Sequence, residues 1–113
     1  MSDADAQAKL HSKLKQLGGR FVQRTIDELN LMHTYLQQAR AGDSEAAQQL
    51  LLTAHRINGS GAMLGFALVS ECARAVERIL REDPRASDAW QQIELQLQRL
   101  DTAVKEAQRT VEP

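Results

Sequence analysis

From Arg20 onward the apolar positions of this chain recur at steps of three and four. Val22, Ile26, Leu29, Met32 and Leu36 line one face of a helix predicted over about 20–41, a stripe of the width that packs onto a core. Ahead of it Ala6, Leu10, Leu14 and Leu17 form a weaker stripe, and Gly18-Gly19 is expected to end this short leading helix. Arg40-Ala41-Gly42-Asp43 is a stop signal, a cation in the last turn followed by glycine. Asp43 or Ser44 then caps a helix on which Ala47, Leu50, Leu51, Ala54, Ile57, Gly61 and Leu64 share a face. A break at Gly65-Phe66 leads into a helix marked by Leu68, Cys72, Ala75, Val76 and Ile79, which runs to about Arg81. Asp83-Pro84-Arg85 reads as a loop, because proline disfavours helix in the residue before it. Ser87 or Asp88 caps the last helix, where Trp90, Ile93, Leu97, Leu100, Val104, Ala107 and Val111 alternate steps of three and four without exception.

That strict seam is the pattern of a bundle helix among antiparallel neighbours. The predicted fold is all-α: an antiparallel up-and-down four-helix bundle with a short extra N-terminal helix. Residues 1–113 are expected to form one domain, with the bundle core over about 20–110 and the leading helix within 1–19.

Composition narrows the function classes. Aromatics make up only 4% and there are two prolines, which speaks against a β-rich architecture. Fourteen Lys and Arg against fifteen Asp and Glu leave a net charge of -1, which offers no footprint for nucleic acid or an anionic membrane. No apolar run approaches the roughly 20 residues of a bilayer span, and Met-Ser-Asp-Ala-Asp at the N-terminus is not a basic signal region. The single Cys72 suits a reducing compartment and reads as a buried small hydrophobe in its helix stripe. A cytoplasmic monomer is expected, and an initiating Met with a chain that stops soon after the last helix suggests a free-standing protein.

One stretch departs from the Leu, Ala, Gln and Glu background: His55-Arg56-Ile57-Asn58-Gly59-Ser60-Gly61-Ala62-Met63-Leu64-Gly65. A helical glycine costs roughly 1 kcal/mol relative to alanine, so glycines clustered after a histidine suggest a need for clearance. At about 100° per residue, His55 projects away from the core face of its helix, between Gln48, Leu52 and Gly59. A neutral imidazole has a ring-nitrogen lone pair and can act as a nucleophile without a separate base. Gly59, one turn on, carries no Cβ to block an opposing active site. Leu52 and Met63 on the same outward side form an apolar rim suited to docking, unless they are merely scattered surface hydrophobes. His11 reads as a solvated helix residue, and His33 as a hydrogen-bonded or half-buried one. The three histidines are each 22 residues apart, which supplies no local metal-ligand spacing.

Phosphoryl transfer suits such a site, since its transition state asks mostly for in-line positioning and neutralisation of the equatorial oxygens. The run from His55 to Gly65 resembles the signature of histidine-containing phosphotransfer (HPt) domains, typically written His-x-x-Lys-Gly with small residues and a Leu-Gly break after it. The resemblance extends to Arg40-Ala41-Gly42-Asp43 before and Glu71-Cys72-Ala73-Arg74 after. It implies a phosphocarrier rather than an enzyme. His55 would accept a phosphoryl group from a receiver-domain aspartate and pass it to another response regulator in a two-component phosphorelay. Receiver domains and a hybrid histidine kinase are the implied partners. The receiver would bring Mg²⁺ and the catalytic groups, with no cofactor or metal held by this chain. Gln48, Leu52, Gly59 and Met63 would dock the partner.

Asn58 departs from the pattern, standing where the family usually has lysine. It can donate a hydrogen bond, but a charge-assisted one is roughly twice as strong. Arg56 is the candidate to compensate, although neighbouring residues do not face each other on a helix. A second reading follows from Asn58: an HPt-like interaction module that docks receivers or kinases without being phosphorylated. A third is a purely structural bundle, which Gly61 on the core face fits and Gly59 does not.

Overall fold

A computed structural model of the chain describes residues 2–82 and 88–111. Every regular element among them is helical: α1 Asp3–Arg40, α2 Ser44–Met63, α3 Ala67–Arg81 and α4 Ala89–Val111. Each helix packs on the next in chain order, and α4 closes back on α1. The loop expected at Asp83-Pro84-Arg85 and the alternative cap Ser87 lie outside the described residues. Asp88 directly precedes α4, and its carbonyl accepts from the Gln92 amide at 3.0 Å.

The separate leading helix is not observed: α1 runs unbroken through Gly18 and Gly19 for 38 residues. The physical reason is in the backbone and the packing. Among the described residues only Gly42 and Gly65 adopt a positive φ, the conformation that ends a helix with glycine, whereas Gly18 and Gly19 do not. Gly18 is buried because the Phe66 ring crosses α1 there; a Cβ on Gly18 would stand 3.3 Å from Phe66 Cζ. Phe66 also stacks on Phe21 at 5.4 Å between ring centroids. Gly18 thus makes room for a crossing ring and is not a stop.

The true stops share one design. After α1, the Asp43 amide reaches the Gln38 carbonyl and the Gly42 amide reaches Ala39, both at 3.0 Å. After α2, the Phe66 amide reaches Gly61 at 2.8 Å and the Gly65 amide reaches Ala62 at 3.3 Å. These paired bonds satisfy carbonyls that the helix end leaves without partners, and they need a left-handed residue at Gly42 and Gly65. Asp43 is the cap of α2, its carboxylate accepting from the Glu45 and Ala46 amides.

The core is aliphatic. Met32, Leu36, Leu50, Ile57, Val76, Ile93, Leu97, Leu100 and Val104 are essentially inaccessible. Two details of the predicted stripes shift by one position. Ala46 is buried while Ala47 and Leu51 are half-buried, and Val69 and Ser70 are buried where Leu68 is exposed. The α3 stripe is therefore 69, 72, 73, 76 and 79, with Leu68 at its solvent edge. Cys72 is buried in that stripe, and burial pushes its thiol above the usual range, with nearby Arg99 opposing and Glu71 adding to the rise.

Candidate functional site

α2 holds its apolar side in the core through Leu50, Ala54, Ile57 and Gly61, which turns His55 into solvent with 65% of its side chain exposed. Gln48, Leu52 and Gly59 are exposed on the same side, and Met63 is 78% exposed at the end of the helix. The four residues expected to rim His55 are therefore all accessible to a partner. A Cβ built on Gly59 would meet nothing within 4 Å, so no packing within the chain calls for glycine there. At Gly61 a Cβ would stand 3.5 Å from Phe21 Cζ and from Ser70, ordinary contact distances. Gly61 is thus close-packed without being obligatory.

The residue that sequence reasoning missed is Glu77 on α3. Both its carboxylate oxygens lie 3.0 Å from His55 Nδ1, and its side chain is only 13% exposed. A carboxylate can only accept, so this contact requires the hydrogen on Nδ1 and leaves the lone pair of a neutral ring on Nε2. Arg81 Nε donates to the same carboxylate at 3.2 Å. Burial raises the Glu77 pKa, but the hydrogen bonds from His55 and Arg81, together with their charges, outweigh it and hold the carboxyl below its ordinary range. The result is a relay from Arg81 through Glu77 to the inner nitrogen of an imidazole whose outer nitrogen faces solvent.

Arg56 and Asn58 are placed differently. Arg56 turns toward α1, where its Nη2 lies 2.9 Å from Glu28 Oε2, and Arg24 holds the other oxygen of Glu28 at 2.6 Å. Asn58 turns toward α3: Ser70 Oγ donates to its side-chain oxygen at 2.6 Å and contacts its carbonyl at 3.1 Å. Ser70 is buried, and Asn58 supplies a side-chain acceptor for its hydroxyl that lysine lacks, the backbone carbonyl being common to both. His33 is hydrogen-bonded as expected, through Nε2 to Asp101 at 2.8 Å, while His11 is exposed. Among the described residues no group of three or more His, Cys, Asp and Glu side chains is arranged to hold a metal ion, and no helix is long and apolar enough to cross a membrane.

An exposed, oriented histidine on a bundle helix defines a carrier-type site more readily than an enclosed active site. The sequence model of the Hpt domain family matches residues 16–110, and the chain belongs to that family. Hpt domains are phosphocarrier modules of two-component signalling that interact with receiver domains and histidine kinases. Comparison with curated proteins and with solved structures found no match.

Proposed function

We propose that the chain is a histidine phosphotransfer protein that carries a phosphoryl group on His55 Nε2 between receiver-domain aspartates. The observation that carries this reading is the contact of Glu77 with Nδ1, which selects the tautomer whose lone pair lies on the exposed nitrogen. In the forward step the Nε2–P bond forms as the acyl-phosphate O–P bond breaks, and the aspartate leaves as a carboxylate. The imidazole becomes cationic and keeps its Nδ1 hydrogen, so no proton has to move, and the Glu77 carboxylate stabilises the charge that develops. The reverse step uses the same geometry.

The short connections Ala41–Asp43 and Leu64–Phe66 support the antiparallel up-and-down order of α1, α2 and α3. Gln48, Leu52, Gly59 and Met63 serve as the docking surface for receivers and for a hybrid kinase, in the cytoplasm. Mg²⁺ is expected from the receiver, since Glu77, the carboxylate beside His55, is already engaged by the imidazole and Arg81.

With Asn58 bonded to Ser70 and Arg56 paired on the α1 side, the cation that screens the phosphoryl group is assigned to Arg81. Its side chain is 59% exposed and joined to His55 through Glu77. Arg81→Ala should lower the phosphorylated fraction at equilibrium with a charged receiver, and Asn58→Lys should restore part of it. An unchanged fraction in both variants would remove the electrostatic argument.

The direct test is transfer of label from a phosphorylated receiver to the chain. An acid-labile, alkali-stable phosphoryl group that disappears in His55→Gln is the expected result, and label retained in that variant overturns the assignment. The alternative, an interaction module that is not phosphorylated, rests on Asn58. Receiver binding that survives His55→Ala, with no label from any receiver or kinase, would favour it.

A further inference from the structure

The first half of α1 is helical without a partner among the described residues. At 1.5 Å per residue a 38-residue helix is about 57 Å long and α2 about 30 Å, and the molecule's longest extent is 58 Å against 22 and 20 Å across. Residues 2–17 are all exposed, and Gly18 is the first buried residue of the helix. The projecting part carries Leu10, Leu14 and Leu17, exposed by 60%, 49% and 40%. Their spacing of four and three places them on one face, and Phe21 continues that face where the helix enters the bundle. An isolated helix of this length is marginal in water, and Gly18 and Gly19 at its root weaken it further. Burial of the leucine face would stabilise it.

Charge indicates what covers that face. At the tip, Asp3 and Asp5 are acidic. At the root, a cavity of about 200 Å³ between α1 and α2 is lined by Leu17, Phe21 and Met63 and ringed by Arg20, Arg24 and Arg56, with Glu28 between the last two, so that three cations face one carboxylate and the ring stays net positive. Pairing two copies side by side in the same direction would set acid against acid at the tips and arginine against arginine at the roots. Pairing them in opposite directions sets each acidic tip against the other's arginine-ringed root, and Leu10 and Leu14 against their counterparts.

We propose that two copies of this chain dimerise through the projecting halves of α1. The two helices lie antiparallel, with the leucine faces in contact and the acidic tip of each in the arginine-ringed groove of the other. The arrangement is a closed two-fold interface, in which the same surface serves on both sides. It replaces the expectation of a monomer and does not depend on phosphotransfer. It would take Met63 out of the docking surface proposed above and leave Gln48, Leu52 and Gly59 around His55, which lies eight residues earlier on α2 and about 12 Å away along the helix.

Sedimentation equilibrium of the full chain from 1 to 200 μM, at low and high salt, tests the proposal. The expected result is a concentration-dependent dimer that salt weakens and that Leu10→Glu with Leu14→Glu converts to monomer, the circular dichroism of the bundle being retained. The orientation is tested by two charge-reversed chains. Asp3→Lys with Asp5→Lys, and separately Arg20→Asp with Arg24→Asp, should each be largely monomeric alone and should dimerise when mixed, because opposite charges then meet at both ends. A chain that stays monomeric to 200 μM at both salt concentrations, a dimer indifferent to the leucine substitutions, or charge-reversed chains that gain nothing on mixing would overturn the proposal. Charge-reversed chains that dimerise alone as well as the parent chain does would point to a parallel pair, and no gain on mixing to another partner for the leucine face.

Discussion

Two histidines of this chain touch a carboxylate on a neighbouring helix, and only one of them does so through its inner ring nitrogen. His33 meets Asp101 through Nε2 at 2.8 Å, and its side chain is 40% exposed. His55 meets Glu77 through Nδ1 at 3.0 Å, and is 65% exposed. The carboxylate of the first occupies the nitrogen that points away from its own backbone, which leaves only the crowded inner nitrogen for chemistry. The carboxylate of the second occupies the inner nitrogen and exposes the outer one. One turn beyond His55 stands Gly59, where a side chain would meet only open space. A histidine–carboxylate pair is therefore not in itself a phosphoacceptor site; the nitrogen that is engaged and the room over the other one decide.

The largest effect should come from exchanging the members of this comparison. His55→Gln should abolish phosphorylation by a charged receiver, whereas His33→Gln should leave the initial rate within about twofold. Acid-lability and alkali-stability of the label, assayed in both variants, check the assignment. Loss of label in His33→Gln with an intact fold would break the distinction.

Glu77→Gln should have the next largest effect. The amide can still accept from Nδ1, but the bond is no longer charge-assisted. Hydrogen bonds to charged groups contribute about 1.5–3 kcal/mol and neutral ones about 0.5–1.5, so transfer should slow by about tenfold, at about 1.4 kcal/mol per decade. The same substitution has a signature in acid. The Glu77 pKa is lowered in the folded chain, so its contribution to stability is present above the unfolded value, near 4.3, and is lost as pH falls through the folded value. Glu77→Gln should consequently lower the melting temperature at pH 7, and the gap to the parent chain should close as pH falls below the unfolded value and through the folded one. A constant gap down to pH 2 would separate Glu77 from the proton balance.

How much of this could be read in the sequence depended on whether a contact was local. His55, the outward Gly59, the cap at Asp43 and the stops at Gly42 and Gly65 all follow from residues within one or two turns of each other. The Glu77, Ser70 and Glu28 contacts do not, since each joins two helices. One signal for Glu77 was available: it and His55 lie eleven residues on either side of Phe66, so a helical hairpin turning there brings them level. Gly18 was misread for the same reason. A glycine that ends a helix and one that admits a crossing ring look alike until the ring of Phe66, 48 residues later, is in place. Asn58, a departure from the usual lysine when seen in one dimension, acquires a local purpose once Ser70 is known to be buried against it.

Gly59→Ala sharpens the comparison by separating fold from function. The new methyl group meets no atom of the chain, and alanine is favoured over glycine in a helix by about 1 kcal/mol. The variant should therefore be more stable by up to that amount in urea unfolding, while the rate of transfer from a receiver falls. Stability and transfer that both improve would show that Gly59 does not serve access to His55.

The smallest effect is expected at the other pair. Asp101→Asn removes the charge facing His33, but both side chains remain partly solvent-exposed, 34% and 40%, and pairs of this kind contribute about 0.2–1 kcal/mol. The amide oxygen can still accept from the imidazole, so the loss of stability in urea unfolding should stay below about 1 kcal/mol, and phosphotransfer through His55 should not change. Asn30 and Lys105, which line the same groove between α1 and α4, are polar groups that can solvate whatever the substitution leaves without a partner. A stability loss of several kcal/mol, or a slower transfer to His55, would mean that the α1–α4 face is coupled to the α2 site, and the two histidines could no longer be treated as independent.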